Sequence, residues 1–272
     1  MKELVSVVMP TFNVGSVLKE SIESILQQTY NNIELLITDD CSTDETTLEI
    51  LRYYQKKDSR VRVCYQKENK GAGVARNNCI KRATGRYIAF CDSDDRWMAD
   101  KLEKQILFMK NKQCALSYSS YILCDNNDIE RGVVIAPEKI TFSMLKRDNK
   151  IGCLTAIYDI RRLGAKYYMP SMRKRQDWAM FLAILKKCRI AYGMSEPLAY
   201  YRIRGGSLST NKFSLIKYNA RVYQDVLGFS SFKSYLYLTF VFTPSYFAKV
   251  VKKKLDSIKY ISKKRKNKQK KS

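Results

Sequence analysis

The sequence predicts an α/β protein: a Rossmann-like, mostly parallel sheet flanked by helices, with a smaller region after it and a helical, basic C-terminal tail. Three observations carry this. Apolar runs of strand length alternate with stretches of helical length through residues 4–110, as successive βαβ units do. The clearest strand ends close on carboxylates, not on the glycine-rich turn that cradles a dinucleotide. An apolar fraction of 45% and an aromatic fraction of 12% belong to a chain that folds.

Residues 4–9 read as a buried strand that Pro10 ends, followed by an amphipathic helix over about 15–28. Ile33 to Thr38 is a second strand, stopping at Asp39-Asp40-Cys41-Ser42-Thr43-Asp44; a helix over about 45–56 and a third strand, Val61 to Tyr65, come next. Asn69-Lys70-Gly71-Ala72-Gly73 turns into a helix that Gly85 closes, and Arg86 to Phe90 is the fourth strand. A helix over about 99–112 leads to strands over 115–124 and 151–160, then to a helix over 176–187 with Trp178, Phe181, Leu182 and Leu185 on one face. Three regions are expected: 1–110, 111–215 and 216–272.

Composition removes several chemistries. There is no histidine, so a general base must be a carboxylate, Lys, Tyr or Cys, and a hard-metal site must use oxygen ligands. Eight cysteines are scattered without CxxC pairs, which argues against a disulfide framework and for a reducing cytoplasm. Met1-Lys2-Glu3 runs straight into the first strand, so no leader peptide is expected, and no apolar run reaches the ~20 residues of a membrane span. The net charge is +24; residues 249–272 hold twelve Lys or Arg against Asp256 alone, leaving +13 on the rest. Such a field attracts polyanions.

In open α/β sheets ligands bind beyond the carboxyl ends of the strands, so those ends hold the candidate site. Asp92-Ser93-Asp94 can face a divalent cation shared with substrate phosphates, or can be a solvated turn capping the next helix. Asp39-Asp40 can accept a base N–H or hold a ribose hydroxyl, or can cap the helix beginning near Asp44.

In chain order, Val5-Ser6-Val7-Val8-Met9-Pro10-Thr11-Phe12-Asn13, Asp39-Asp40-Cys41-Ser42-Thr43-Asp44, Asn69-Lys70-Gly71-Ala72-Gly73-Val74-Ala75-Arg76-Asn77 with Ala83-Thr84-Gly85, Phe90-Cys91-Asp92-Ser93-Asp94-Asp95 and Gln176-Asp177-Trp178 resemble family-two glycosyltransferases. The resemblance is close over 4–110 and looser to about 210. It implies a GT-A fold and a nucleotide-sugar donor, with UDP the expected nucleotide. By that resemblance Asp40 binds the base, Asp94 is the principal ligand of Mg2+ or Mn2+, and Asp92 supports the metal or the ribose. Asp39 lies beside them, and Pro10, Thr11 and Asn13 line the base and ribose pocket. Arg76 reaches the donor or caps its own helix. Asp177 matches the catalytic base, with Trp178 beside it to reduce its hydration and Arg173-Lys174-Arg175 opposing that effect; the alternative is an Asp that complements a helix dipole. Arg204 stands where the family often has histidine; a guanidinium cannot ligate a cation but binds phosphate bidentately.

These features imply an inverting glycosyltransferase that moves a sugar to a hydroxyl of a growing surface glycan such as lipopolysaccharide, O-antigen or capsule, carried on a lipid. Residues 235–247, with Phe240 and Phe242, and the lysine tail suit peripheral docking on the inner face of an anionic membrane; the alternative is a core-packing segment followed by a disordered tail. Charge alone would also suit a nucleic-acid-binding protein, but no recognition motif accompanies it and no specific nucleic acid is expected. A catalytically inactive nucleotide-sugar-binding subunit is a further reading, against which the intact acidic set argues.

Overall fold

The computed structural model describes residues 2–203 and 212–269. Its first half repeats one unit: β1 (Val5–Thr11), α1 (Val17–Leu26), β2 (Ile33–Asp39), α2 (Glu45–Lys57), β3 (Val61–Tyr65), α3 (Ala72–Arg82) and β4 (Tyr87–Phe90). Then come β5 (Arg96–Trp97), α4 (Lys101–Asn111), β6 (Leu116–Cys124), β7 (Glu130–Val134), β8 (Lys139–Thr141), α5 (Phe142–Arg147), β9 (Ile157–Asp159), α6 (Ile160–Leu163), α7 (Gln176–Cys188) and β10 (Ile190–Arg202). The C-terminal helices are α8 (Lys212–Arg221), α9 (Ser231–Tyr237) and α10 (Thr243–Gln269), with π-helical turns at Val222–Val226 and Leu238–Phe242.

Among the described residues ten strands form one sheet in the order β3-β2-β1-β4-β9-β6-β10-β5, with β7 on β6 and β8 on β10. β3, β2, β1 and β4 run parallel, as the βαβ pattern requires. Strand order reverses between β1 and β4, which opens a crevice at their carboxyl ends. β9 then enters antiparallel to both β4 and β6, so strands from either side of residue 110 belong to the same sheet.

Alternation along each strand divides the core. Val5, Val7 and Met9 of β1, with Leu35 and Ile37 of β2, pack on one face against α1, α2 and α4. Val8, Leu36, Ile88 and Phe90 pack on the other against α3 and α7. Both faces are covered, which explains why β1 and β2 are buried at every residue.

Two expectations need correction. Pro10 does not end β1, which continues to Thr11 paired with β2. Pairing with β4 stops at Val8, whose carbonyl accepts from the Cys91 N–H. Two residues on, the missing N–H of Pro10 faces that same, now unpaired side, so no ladder bond is lost. The expected strand over 151–160 is shorter: Cys153–Thr155 forms a 3-10 turn and only Ile157–Asp159 pairs.

Lys101 is fully buried, its ammonium donating to Gln105 Oε1 at 2.7 Å and lying 4.4 Å from the Trp97 ring centroid. Burial pulls its pKa down to about 7, with Cys91 opposing the shift. Because the folded value lies below that of the unfolded chain, Lys101 destabilises the fold fully below about pH 7. That cost disappears as pH rises towards 10.5. The stability of wild type relative to Lys101→Met is therefore expected to rise by about 3 kcal/mol between pH 6.5 and 9.5 in urea titrations; a flat difference would show a neutral or solvated amine.

Candidate active site

The β1 and β2 ends are laced together. Asn13, at a positive φ of 45°, accepts from the Thr43 and Asp44 N–H groups through Oδ1 and donates from Nδ2 to Thr43 Oγ1. Asp44, not Asp39 or Asp40, caps α2, accepting from the Thr47 N–H and also from the Gly15 N–H. Asp39 folds back on its own turn, accepting from the Ser42 N–H and hydroxyl. Asp40 is buried and holds the 66–71 loop, accepting from Gln66 Nε2 at 2.9 Å and from the Lys70 and Gly71 N–H groups at 2.8 Å each. Pro10 and Thr11 sit buried in β1, and the Thr11 hydroxyl has no partner.

Beyond β4 the acidic turn is held from three directions. Its own Asp95 N–H donates to the Asp92 carbonyl. From α1, the Ser21 hydroxyl donates to the Ser93 carbonyl at 2.9 Å. From β10, the buried Arg202 donates its backbone N–H to Asp95 Oδ1 and its Nε to the Asp94 carbonyl, while Nη2 reaches Glu20 at 2.7 Å. From α3, Arg76 Nη2 donates to Asp92 Oδ1 at 2.5 Å. Arg76 is only 7% exposed and its Nε has no partner. Burial alone would lower its pKa, but Asp92, with Cys153 and Asp177, outweighs that and holds it above the ordinary arginine value. Arg76 therefore neither caps α3 nor stands free. Burial, with the charges of Asp94 and Asp92, pushes the Asp95 carboxyl well above the usual range.

Asp177 stands in the first turn of α7, half-buried, accepting from Asn149 Nδ2 at 3.2 Å. Its helix meets α3 because Gly73 leaves room: a Cβ there would lie 3.1 Å from Gln176 Cγ. One turn after Gly73 comes Arg76, and the residue after Gln176 is Asp177, so this contact sets the guanidinium and the carboxylate near each other. Cys153 lies in the fields of Arg76, Asp92 and Asp177; burial pushes its thiol up strongly. Trp178 turns into the core, donating from Nε1 to the Leu145 carbonyl and packing on Tyr223 and Phe242. Arg204 lies outside the described residues.

Among the described residues no three Cys, Asp or Glu side chains converge as a protein-only metal cage. Mg2+ and Mn2+ bind through one or two carboxylates and leave the remaining positions to water and phosphate. Asp92 and Asp94 at one strand end, with one Asp92 oxygen already on Arg76, fit a cation shared with a diphosphate.

The family model for glycosyl transferase family 2 matches residues 6–163. The chain belongs to that family. It is therefore a glycosyltransferase. Its Bacillus subtilis (strain 168) relative TuaG, provisionally assigned as a glycosyltransferase of teichuronic acid biosynthesis, is 44% identical over 83% of this chain and 89% of its own. The Escherichia coli enzyme WfgD, a UDP-Glc:alpha-D-GlcNAc-diphosphoundecaprenol beta-1,3-glucosyltransferase, is 41% identical over 83% of this chain and 85% of its own. Among solved structures, Staphylococcus aureus TarS 1–349 in complex with UDP-GlcNAc superposes with a TM-score of 0.67 over 91% of this chain and 73% of its own, at 19% identity. That likeness confirms the GT-A fold.

Several residues of this glycosyltransferase site escaped sequence reasoning. Arg202 sits two positions before Arg204, at the end of β10, and no local pattern marks it as a residue that would turn back on the acidic turn. Asn149 and Cys153 come from a loop and a 3-10 turn with no local signature. The Gly73 contact yields a prediction: Gly73→Val should cost about 1–3 kcal/mol in a denaturant titration by overpacking the α3–α7 contact. It should also lower sugar transfer more than donor binding. An unchanged rate would uncouple the two helices from the chemistry.

Proposed function

We propose that this glycosyltransferase moves one sugar, with inversion, from a UDP-linked donor to a hydroxyl of a lipid-linked surface glycan at the inner face of the membrane. One observation carries the proposal: the close approach of Gly73 and Gln176 brings the start of α7, with Asp177, up to α3, whose buried Arg76 holds the strand-end Asp92. Donor-side and acceptor-side carboxylates are thereby brought to one crevice. The donor half, 1–110, supplies the first; the 111–215 region supplies the second. WfgD's name gives a UDP-sugar donor and a diphosphoundecaprenol-linked acceptor, and the TarS relative holds UDP-GlcNAc.

In this reading Asp177 takes the proton from the acceptor hydroxyl as its oxygen bonds to the anomeric carbon. The bond from that carbon to the diphosphate breaks, and UDP leaves with the electron pair. Asn149 orients the carboxylate for this step through its amide. The partner-less Thr11 hydroxyl and the loop fixed by Asp40 form the nucleoside side of the crevice, with Pro10, Asn13 and Asp39 shaping its wall. Arg76 holds Asp92 in place, and Arg204 is assigned to the diphosphate. Asp94 and Asp92 would hold Mg2+ or Mn2+, which offsets charge on the departing diphosphate. A mannosyltransferase from Pyrobaculum calidifontis with the same fold has been solved with GDP-Man and Mn2+.

The test uses a panel of nucleotide sugars with a diphospholipid-linked sugar as acceptor. Asp177→Asn should leave donor binding intact and lower turnover by about a hundredfold or more. Asp94→Ala should weaken Mn2+-dependent donor binding as well as transfer. Near-normal turnover in Asp177→Asn would remove it as the base, and full wild-type activity in excess chelator would remove the cation.

A further inference from the structure

The apolar C-terminal segment divides into two kinds of residue. Phe242, expected from the sequence to meet lipid, is 8% exposed and packs 5.9 Å from Trp178, centroid to centroid, so it belongs to the core. Phe240, two residues earlier, is 72% exposed. In α10, Phe247, Val251, Leu255 and Ile258 follow at intervals of four, four and three, one face of a helix, each between 53% and 62% exposed. No helix among the described residues is long and apolar enough to cross a membrane.

The outward direction of this face is enforced. From its other side, α10 sends Lys249 Nζ to Asp148 Oδ1 at 2.6 Å and to the Asn149 carbonyl at 2.8 Å. Two turns and more along, Ser257 Oγ bonds both the N–H and the carbonyl of Val133 at 3.1 Å. Tyr260 donates to Glu130, and Lys264 pairs with the same carboxylate. The approach to β7 is close enough that a Cβ on Gly132 would lie 2.7 Å from Ser257 Cβ. The helix cannot roll its apolar face inward without breaking these bonds. Lys252, Lys259 and Lys263 are exposed beside that face, at helical positions between it and the docked side.

We propose that this face of α10 lies flat on an anionic lipid bilayer, with Phe247, Val251, Leu255 and Ile258 at the headgroup–acyl boundary and the lysine flank on anionic headgroups. Charge decides the occupant. A second copy would set two lysine flanks of like sign together on a chain of net charge +24, whereas an anionic leaflet complements them. The inference deepens the reading of a lipid-linked acceptor and rests on it for its purpose. The helix that meets lipid also grips Asn149, whose amide meets Asp177, so the docking plane and the proposed base are fixed in one frame.

Co-sedimentation of the full chain with phosphatidylcholine vesicles, with and without 30% phosphatidylglycerol, tests this, alongside UDP binding in the absence of lipid. Wild type should bind the anionic vesicles at least about tenfold more tightly than the neutral ones, following the lysine contribution per charge. Phe247→Ser with Val251→Ser and Leu255→Ser should remove the attachment that persists in high salt. Lys259→Gln with Lys263→Gln should weaken binding to the anionic vesicles by about tenfold or more and leave binding to the neutral ones unchanged. Both variants should bind UDP as wild type does. Vesicle binding unchanged in the triple variant would overturn the proposal. So would loss of UDP binding there, which would make the face structural, or a dimer that the triple variant converts to monomer. Absence of UDP binding in wild type would instead count against the transferase reading, leaving the vesicle result to stand by itself.

Discussion

Arg76 carries a guanidinium almost wholly withdrawn from water, and such a group persists only where carboxylates compensate the lost hydration. Asp92 meets it directly, and Asp177 adds to the same field. This requirement explains much of the surrounding architecture. Gly73 lets α7 approach α3, so that Asp177 can stand near the cation one turn away. Arg202 and Ser21 clamp the turn from the other sides, so Asp92 cannot swing away to solvent. Among the described residues, the Arg76 Nε and the Thr11 hydroxyl are buried polar atoms that this arrangement leaves without a partner.

The parallel half of the fold was legible because it rests on local periodicity. Strands of four to seven residues alternate with helices whose apolar positions repeat every three or four, and each of those elements is present. Strand-end carboxylates were legible for a related reason: polar residues after a buried strand have few structural uses. The sequence could not say which of them face ligand and which brace loops. Asp39 accepts from the Ser42 N–H of its own turn, whereas Asp40 accepts from the Lys70 and Gly71 N–H groups, a role that depends on how the 66–71 loop returns over β2. Asn149 and Cys153 join the site through contacts more than twenty residues distant in sequence, which no local pattern encodes. Pro10 misled because only the position of its neighbouring strand decides whether a missing N–H matters.

The C-terminal segment shows the same division between pattern and context. Composition alone marks 235–247 as aromatic and the following stretch as basic. Packing assigns Phe242 to the core and leaves Phe240 outside, and it turns the lysine-rich stretch into a helix fixed along β7. Lys249 connects that helix to the loop that carries Asn149, so the part of the molecule farthest along the chain supports the residue that orients the proposed base.

The central claim is that Arg76 makes one unit of the donor carboxylates and Asp177. A double-mutant cycle in kcat/KM for sugar transfer, using Arg76→Met, Asp177→Asn and the two together, measures this directly. The account predicts that the combined loss falls short of the product of the single losses by at least about fivefold, a coupling of about 1 kcal/mol or more. Losses that simply multiply would show that the guanidinium and the carboxylate act independently, and would contradict it.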